Sequence, residues 1–546
     1  MKKPMAGLNG CGNVSARFAS SIALLLSLYG ILTSSFAQTA KKPVPGVDIF
    51  NGTNIVKINI TIPADGVRQL RRYYWNRGNE TKIEVKATVT EGGTVFKDVA
   101  LHLKGAAGSF QPIDQKPGLT LNFDKHVKGQ KFHGLEKLSL NNSVQDPTFI
   151  EEKICREMYE AAGVPVPRAD YALVTLNGKN LGLYVLVEGF NKQFLKRYFK
   201  NVSGNLYDGG FCREITDDLN VNSGDKPTDK SDLNRLAQVA GEARQKSSLT
   251  ELSQVLDVDR MLSMIALEVI QCHWDGYTMN RNNYRVYHDL DGGKMVFMPH
   301  GMDQMFGTGD GRGSPQSSIF PSANGFVSSA VLSTQEGRSR YLQRLAEIRT
   351  NVFKVEEITN RIYQIHRRIQ PYIHSSPFGF RNYGSVNGLV QNILARADSL
   401  DSQLSDPPKP EEFVNGILRL TGWKARNMNG GTFDIATSRD GKKLLHVAAS
   451  GGSASWRKKV LLSAGSYRFE GYTRTRGVGN GPLGAHLRIS GAMATPVLHG
   501  DAEWTMLSFP FEILEPSREV ELVCELKGNS GEAWFDTTSL KIRRVE

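Results

Sequence analysis

The chain reads as an α+β protein of two packed lobes followed by an all-β sandwich, and three observations predict this class. Residues 50 to 125 carry short runs in which apolar and polar side chains alternate, the period of half-buried strands. From Leu233 to Gln271 and from Ser339 to Ile373 the apolar spacing becomes three and four residues, the period of helices with one buried face. Beyond Asp406-Pro-Pro-Lys-Pro-Glu-Glu412 short apolar runs return between glycine turns. A sheet-rich part followed by a helix-rich part implies two lobes with a cleft between them, and the proline-rich stretch marks a domain boundary.

Bulk properties narrow the class. At 546 residues the chain is too long for one ordinary domain, and its 40% hydrophobic and 22% charged residues argue against disorder or a polytopic membrane protein. A net charge of +12 suits an anionic partner in principle. The basic residues are scattered, however, without a long Lys/Arg run or an aromatic-basic motif, so the reading is a solvated basic surface and no nucleic-acid partner.

Lys2, Lys3 and Arg17 precede the apolar run Ile22 to Leu32, and small residues lead to Ala37, which predicts a secretory signal over residues 1–37. The expected protein is exported, to the periplasm, cell surface or medium, with no integral membrane segment after cleavage. Leu8-Asn9-Gly10-Cys11 lies before the apolar run, the wrong order for a lipoprotein box. Residues 38–46 read as a linker, 47–405 as the two-lobed domain, 406–412 as a second linker and 413–546 as the sandwich. Cys155, Cys212, Cys272 and Cys524 contain no CxxC pair, so they make no zinc site and are expected to be buried singly.

Individual elements follow from the same signals. Val56 to Ile62, Lys82 to Thr90, Val95 to Leu103 and Leu119 to Phe123 read as strands of a largely antiparallel sheet, with a short helix over Ala64 to Trp75. Leu135 to Asn141 is another strand, Pro147 to Ala162 a helix stopped at Gly163, and Tyr171 to Leu176 with Leu181 to Glu188 a hairpin about Asn177-Gly178. Residues 201–234, rich in Asn, Asp, Gly and Ser, read as a long loop. A helix capped by Asp257 or Asp259 precedes His273-Trp274-Asp275, and the runs Tyr284 to His288 and Lys294 to Met298 form a hairpin that ends beside Asp303.

Three groups of residues carry candidate chemistry. Lys104-Gly-Ala-Ala-Gly-Ser109-Phe110 is a small-residue loop whose backbone is able to approach a phosphate. Phosphoryl transfer needs a cation for the phosphates, hard oxygen ligands for a divalent metal and a carboxylate near the acceptor hydroxyl. Lys116, Asp303 and Asp275 are candidates for those roles in that order, with Asn280, Asn282 or Asn283 as an amide beside the metal. Each also has an ordinary use in turns and loops. In the sandwich Trp423, Trp456, Trp504 and Trp534 are candidates for stacking on sugar rings, against the commoner fate of a core tryptophan.

Taken in order, Lys104-Gly…Ser109…Lys116-Pro117, then Asn177-Gly178-Lys-Asn-Leu-Gly-Leu-Tyr184…Glu188, then Asp275…Asn282-Asn283-Tyr284 and Pro299…Asp303…Phe306-Gly307 resemble the CotH spore-coat kinase family. The resemblance covers about residues 50–310 and the helices up to 400. It implies a divergent protein-kinase-like fold that uses ATP with Mg2+ or a related ion to phosphorylate protein serines. By that resemblance Lys116 meets the nucleotide phosphates, with Lys104 and Ser109 in the loop beside it. Asp275 lies in the catalytic centre, and Asp303 holds the metal with Asn283 or Asn280. One position departs from the family pattern: Gly301 stands where a carboxylate is common. The sandwich is similar to carbohydrate-binding jelly rolls.

Two functions therefore compete. One is an exported kinase acting on a protein substrate and tethered by the sandwich. The other is a non-catalytic extracellular or surface protein that recognises carbohydrate or protein, which Gly301 and the scarcity of ATP outside the cytoplasm favour. Metal-dependent hydrolysis fits less well because no second metal cluster is visible.

Overall fold

Alternation in the first third of the chain does not produce an open sheet. In the computed structural model, seven strands close into a barrel: β1 (Val56–Thr61), β2 (Glu84–Glu91), β3 (Thr94–Lys104), β4 (Gly118–Asn122), β5 (Lys137–Asn141), β6 (Ala169–Leu176) and β7 (Lys179–Glu188). Described are residues 44–76, 82–308, 312–373, 385–428, 431–438, 440–479, 484–493 and 496–545, so the expected signal over 1–37 and most of the linker after it lie outside them.

The barrel order is β1-β2-β3-β4-β5-β7-β6, antiparallel except at the seam, where β1 runs parallel to β6 from Val56↔Ala172 to Ile60↔Leu176. That seam joins segments more than a hundred positions apart, which is why local patterning shows the strands without the closure. Ile58, Val89, Leu101, Leu119, Leu138 and Leu186 fill the interior. The intervening side chains of β3, β4 and β5, among them His102, Lys104, Thr120, Ser139 and Asn141, face the cleft instead.

The helix expected from Pro147 runs from Glu151 to Ala161. Its delayed start has a local cause. The Asp146 carboxylate accepts from the Thr148 amide and hydroxyl (2.9 and 2.6 Å) and from the Glu151 amide (3.0 Å), holding residues 146–150 in a capping turn.

The second lobe is built on the helix Val258–Ile270, capped as expected by Asp257, whose carboxylate accepts from the Arg260 amide at 3.0 Å. Helices Ser231–Lys246, Phe326–Leu332, Gln335–Asn351, Val355–Ile373 and Val386–Ser405 pack with it in one core. This lobe also carries a four-stranded sheet, ordered β11 (Lys294–Pro299), β10 (Tyr284–Asp289), β8 (Leu206–Asp208) and β9 (Asn220–Ser223). The expected long loop over 201–234 is thus corrected: it contains β8 and β9, which pair through Tyr207↔Val286 with a strand far along the chain. Among the described residues no helix is long and apolar enough to cross a membrane. Cys155, Cys272 and Cys524 are buried free thiols and Cys212 is a half-buried one.

After residue 412 the strands enclose a separate core around Leu462, Phe469, Leu522 and Phe535. They form one curled sheet: β12 (Ile417–Arg419), β13 (Lys424–Met428), β14 (Gly431–Thr437), β15 (Lys443–Ala449), β16 (Gly452–Val478), β17 (Ala485–Ile489), β18 (Gly500–Gly528), β19 (Glu532–Asp536) and β20 (Lys541–Val545). β16 and β18 are unusually long because they stay paired through a register shift at Ser463/Gly465 instead of breaking there. β19 and β20 are separated by a turn in which Asp536 accepts from the Thr538 amide and hydroxyl.

Candidate functional site

Between the outer face of β3–β5 and the second lobe lies a cavity of about 490 Å³, within the range of small-molecule sites. Its roof follows from the pleat of β3. Leu101 and Leu103 turn into the barrel, so His102 and Lys104 turn out to the cavity. Past Lys104 the chain bends at Gly105, φ +119°, where a Cβ would stand 2.8 Å from the Phe110 Cα, so only glycine fits. The Ala106 amide donates to the Ser109 hydroxyl (3.0 Å), and Asn142 donates to the Ser109 and Lys116 carbonyls (3.0 Å each). Gly105, Ala106, Ala107 and Ser109 all line the cavity.

Lys104 begins a chain of side chains. Its ammonium donates to the Asn141 side-chain oxygen, the Asn141 side-chain amide donates to Glu152, and Arg156 donates to the other Glu152 oxygen at 2.7 Å. Burial lowers the Lys104 amine to about 8, against the pull of Glu152 and Asp303. Burial works on Glu152 in the opposite sense, but Arg156 and Lys104 outweigh it and hold the carboxylate below its usual range. The sequence reading missed Glu152, because a Glu-Glu pair opening a helix has an ordinary explanation in the helix dipole.

The lysine expected at the phosphates sits elsewhere. Lys116 is 4% exposed and its ammonium lies over the rings of Phe149 (4.7 Å) and Tyr184 (5.0 Å). It is not among the residues lining the cavity, and burial lowers its amine to about 7. The strand pleat and the bend at Gly105 bring Lys104, not Lys116, to the acidic groups. Ser109 is at the cavity, with its hydroxyl engaged inside the loop.

The floor is a loop gathered about Asp275. One carboxylate oxygen accepts from the Asn280 amide (2.5 Å) and the other from those of Asn282 and Asn283 (2.9 Å each). Burial raises the Asp275 carboxyl, and the asparagine donors and Arg312 moderate the shift. Asn282 and Asn283 line the cavity; Asn280 does not. Arg281 and Asn283 have left-handed backbones, φ +55° and +51°, strain of the kind held at constrained sites. Buried Glu268 fixes the loop from below, accepting from the Tyr277 and Thr278 amides at 2.9 Å each. Burial raises its carboxyl to about 7.

Asp303 completes the wall. It lines the cavity, and burial, with Glu152, raises its carboxyl to about 7 while Lys104 opposes the shift. Its loop is tied to the helix Glu151–Ala161 by Glu151, which accepts from the Met305 amide at 2.7 Å and from the Thr308 hydroxyl. His300 is packed edge-on to Phe190 at 5.6 Å, and burial pushes its imidazole well below the usual range. His273 is fully buried, lowered to about 4 by burial.

Gly301 has a steric reason to be glycine. Its φ is +55° and a Cβ there would come within 2.3 Å of the Asn283 side-chain oxygen. We therefore expect Gly301→Asp to displace Asn283 and to destabilise the fold by about 2–4 kcal/mol in urea unfolding.

Among the described residues no group of three or more His, Cys, Asp or Glu side chains is placed to hold a metal. A cation here needs amide oxygens as well. Among the described residues no hydrogen bond to the Asp303 carboxylate or to the Asn283 side-chain oxygen is formed, so two hard oxygen donors stand open at the cavity, as a divalent ion requires. Of the asparagines proposed from sequence, Asn283 fits this role better than Asn280.

Of the tryptophans proposed for sugar stacking, Trp456 is corrected: it is 6% exposed in the core, its indole donating to the His446 carbonyl at 2.9 Å. Trp423 is partly buried and stacked on Phe469 at 6.1 Å, whereas Trp504 is 38% exposed beneath Arg474. Trp534 is flanked by His446 and Arg474, at 4.9 and 4.7 Å.

A protein-family model described as CotH kinase protein matches residues 101–400. The inner spore coat protein H of Bacillus subtilis (strain 168) is 24% identical over 274 residues, covering 45% of this chain and 71% of that protein. Among solved structures, the Helicobacter pylori proinflammatory kinase CtkA aligns with 61% of this chain and 95% of its own, at 10% identity and a TM-score of 0.27. The carbohydrate-binding module TmCBM61, solved with beta-1,4-galactotriose, aligns with 24% of this chain and 92% of its own, at 14% identity and a TM-score of 0.18.

Proposed function

Because the chain belongs to the CotH kinase family, we propose that its cleft transfers the terminal phosphoryl group of ATP to a serine hydroxyl of a protein substrate. The observation that carries this reading is the convergence on one cavity of the Lys104–Asn141–Glu152 chain, the Asp275 loop and Asp303. A lysine, three carboxylates and several amides are gathered there at one cavity.

Lys104 neutralises the phosphate chain, and the Gly105–Ser109 backbone covers it. Glu152, held by Arg156, orients Lys104 through Asn141. Asp303 and Asn283 would hold Mg2+, which when bound supplies neutralisation of charge on the phosphates. Asp275, its orientation fixed by the asparagines, takes the proton of the acceptor hydroxyl. The acceptor oxygen forms a bond to the γ-phosphorus as the bond from that phosphorus to the bridging oxygen breaks, and ADP leaves.

Incubation of purified full-length protein with labelled ATP, Mg2+ or Mn2+ and a protein acceptor tests the proposal beside Asp303→Ala. Label transfer by the wild type and its loss in the variant are expected. Absence of nucleotide binding and transfer, or an unchanged variant, overturns it.

A second reading, recognition of carbohydrate by the C-terminal sheet in an exported protein, is favoured by one observation. Trp504 is an exposed aromatic on that sheet. If it is a sugar platform, Trp504→Ala should lower retention of the full chain on a responsive polysaccharide at least tenfold. No retention across a panel counts against tethering.

A further inference from the structure

The C-terminal sheet touches the first domain through the middle of β18, and those contacts lead to the catalytic loop. Glu515, 1% exposed, accepts from the Ser329 hydroxyl at 2.8 Å, and the Ser322 hydroxyl donates to the Glu519 carbonyl at 2.6 Å. Arg338 donates to the Ser517 hydroxyl. Arg518 donates to the Asn324 side-chain oxygen at 2.6 Å, and its guanidinium also lies 3.6 Å from Glu515. Asn324 is not a passive partner. Its side-chain amide donates to the Met279 carbonyl at 2.7 Å, and its backbone amide donates to the Thr278 carbonyl at 2.8 Å. The segment so held, Tyr277–Asn280, ends in the asparagine whose amide holds Asp275.

We propose that Arg518 is a positioning residue for Asp275, acting across the domain boundary through Asn324, so that docking of the C-terminal sheet sets the turnover of the kinase site. This rests on the phosphoryl-transfer reading above for its effect on turnover, but not for its effect on the loop. The physical need is plain. A helix of four residues cannot sustain itself, and its carbonyls require outside donors. Asn324 is such a donor, and its amide can present its N–H to Met279 only while its oxygen faces the other way. The charge-assisted bond from Arg518 fixes that orientation. The nucleotide end of the cavity, from Lys104 to Glu152 and the Gly105–Ser109 loop, is built by the barrel and its adjoining helix and, among the described residues, shares no hydrogen bond with this chain of contacts. Loss of Arg518 should therefore separate turnover from nucleotide affinity.

The test uses the full-length protein as wild type, Arg518→Ala, Arg518→Lys and Ser517→Ala, the last removing the docking contact to Arg338, which among the described residues forms no hydrogen bond with Arg518 or Asn324. Hydrogen exchange of amides 276–283 is measured with label-transfer turnover and ATP affinity. Arg518→Ala is expected to speed exchange in this segment about tenfold and to lower turnover about tenfold, with ATP affinity changed less than twofold. Arg518→Lys should recover part of both losses, and Ser517→Ala should leave exchange of 276–283 as in the wild type. Unchanged exchange in Arg518→Ala overturns the proposal. So does an equal rise in exchange across both domains, or a parallel fall in ATP affinity, since each describes general loosening. Should the wild type transfer no label, the kinase reading fails while exchange still decides whether Arg518 holds the loop.

Discussion

Lys104→Ala is expected to lower label transfer by about a thousandfold, the upper range for losing one charged group that stabilises a transition state. The equivalent change at the second lysine, Lys116→Met, should leave ATP affinity within about twofold of the wild type. The contrast follows from position. Lys104 faces Glu152 and Asp303 at the cavity, whereas Lys116 lies over Phe149 and Tyr184 outside its lining. Calorimetry with a non-hydrolysable ATP analogue distinguishes the two, and normal affinity in Lys104→Ala with loss in Lys116→Met would reverse the assignment. A pH signature accompanies it. With the Lys104 amine lowered to about 8 in the free protein, its charge is present below that pH and lost above it. Affinity for the analogue should fall as pH rises through about 8, until bound phosphate, which favours the charged form, pushes the amine back up.

Asp303→Asn is expected to have the second large effect, and to act in opposite directions on catalysis and stability. Label transfer should fall by at least a hundredfold with loss of the charged oxygen ligand. Thermal stability of the metal-free protein should rise. Burial, followed by Glu152, Asp146 and Asp275 after the opposing Lys104, leaves the Asp303 carboxyl raised to about 7. The folded state then holds a proton, between the ordinary value of 3.8 and about 7, that the unfolded chain has released. Stability contributed at this position is therefore fullest at low pH and is lost as pH rises through about 7. Asparagine removes that loss, so the variant should exceed the wild type at pH 8 by on the order of 2 kcal/mol, with the gap closing toward pH 4. Scanning calorimetry at the two pH values checks the sign. A metal competing with that proton should bind about tenfold more weakly for each unit below pH 7.

The glycine at position 301 bears on both expectations. Its left-handed backbone and the nearness of Asn283 leave no room for a side chain. The absent carboxylate is therefore compatible with a cavity in which Asp303 and Asn283 present the open oxygens, and the departure from the family pattern does not by itself argue for loss of activity.

Several parts of this picture were legible in the residues alone. The three- and four-residue spacing after Asp257 specified a capped helix, and Asp291-Gly292-Gly293 specified the hairpin that delivers Asp303. Asp275 and its asparagines are close in sequence, so a short loop was enough to gather them. The clustering of these polar residues is a local property. Other features were not local. Choosing between Lys104 and Lys116 requires knowing which pleat face of β3 meets the cavity, and recognising Glu152 requires the packing of its helix against that face. Trp456 and Trp504 look alike as letters in alternating strands, yet one fills a core and the other is exposed, because curling of the sheet decides which face is inside.

By itself, then, the sequence determined the α+β order, the β-rich C-terminal domain and the loop chemistry around Asp275 and Asp303, since each is written in periods or neighbours of a few residues. Only the tertiary structure decided the closure of the barrel through the parallel β1–β6 seam, the Lys104–Asn141–Glu152 chain, and the line from Arg518 through Asn324 to the loop. Those contacts join residues from 11 to 194 positions apart. Their free energy depends on burial and donor geometry, which come into being only when the segments pack.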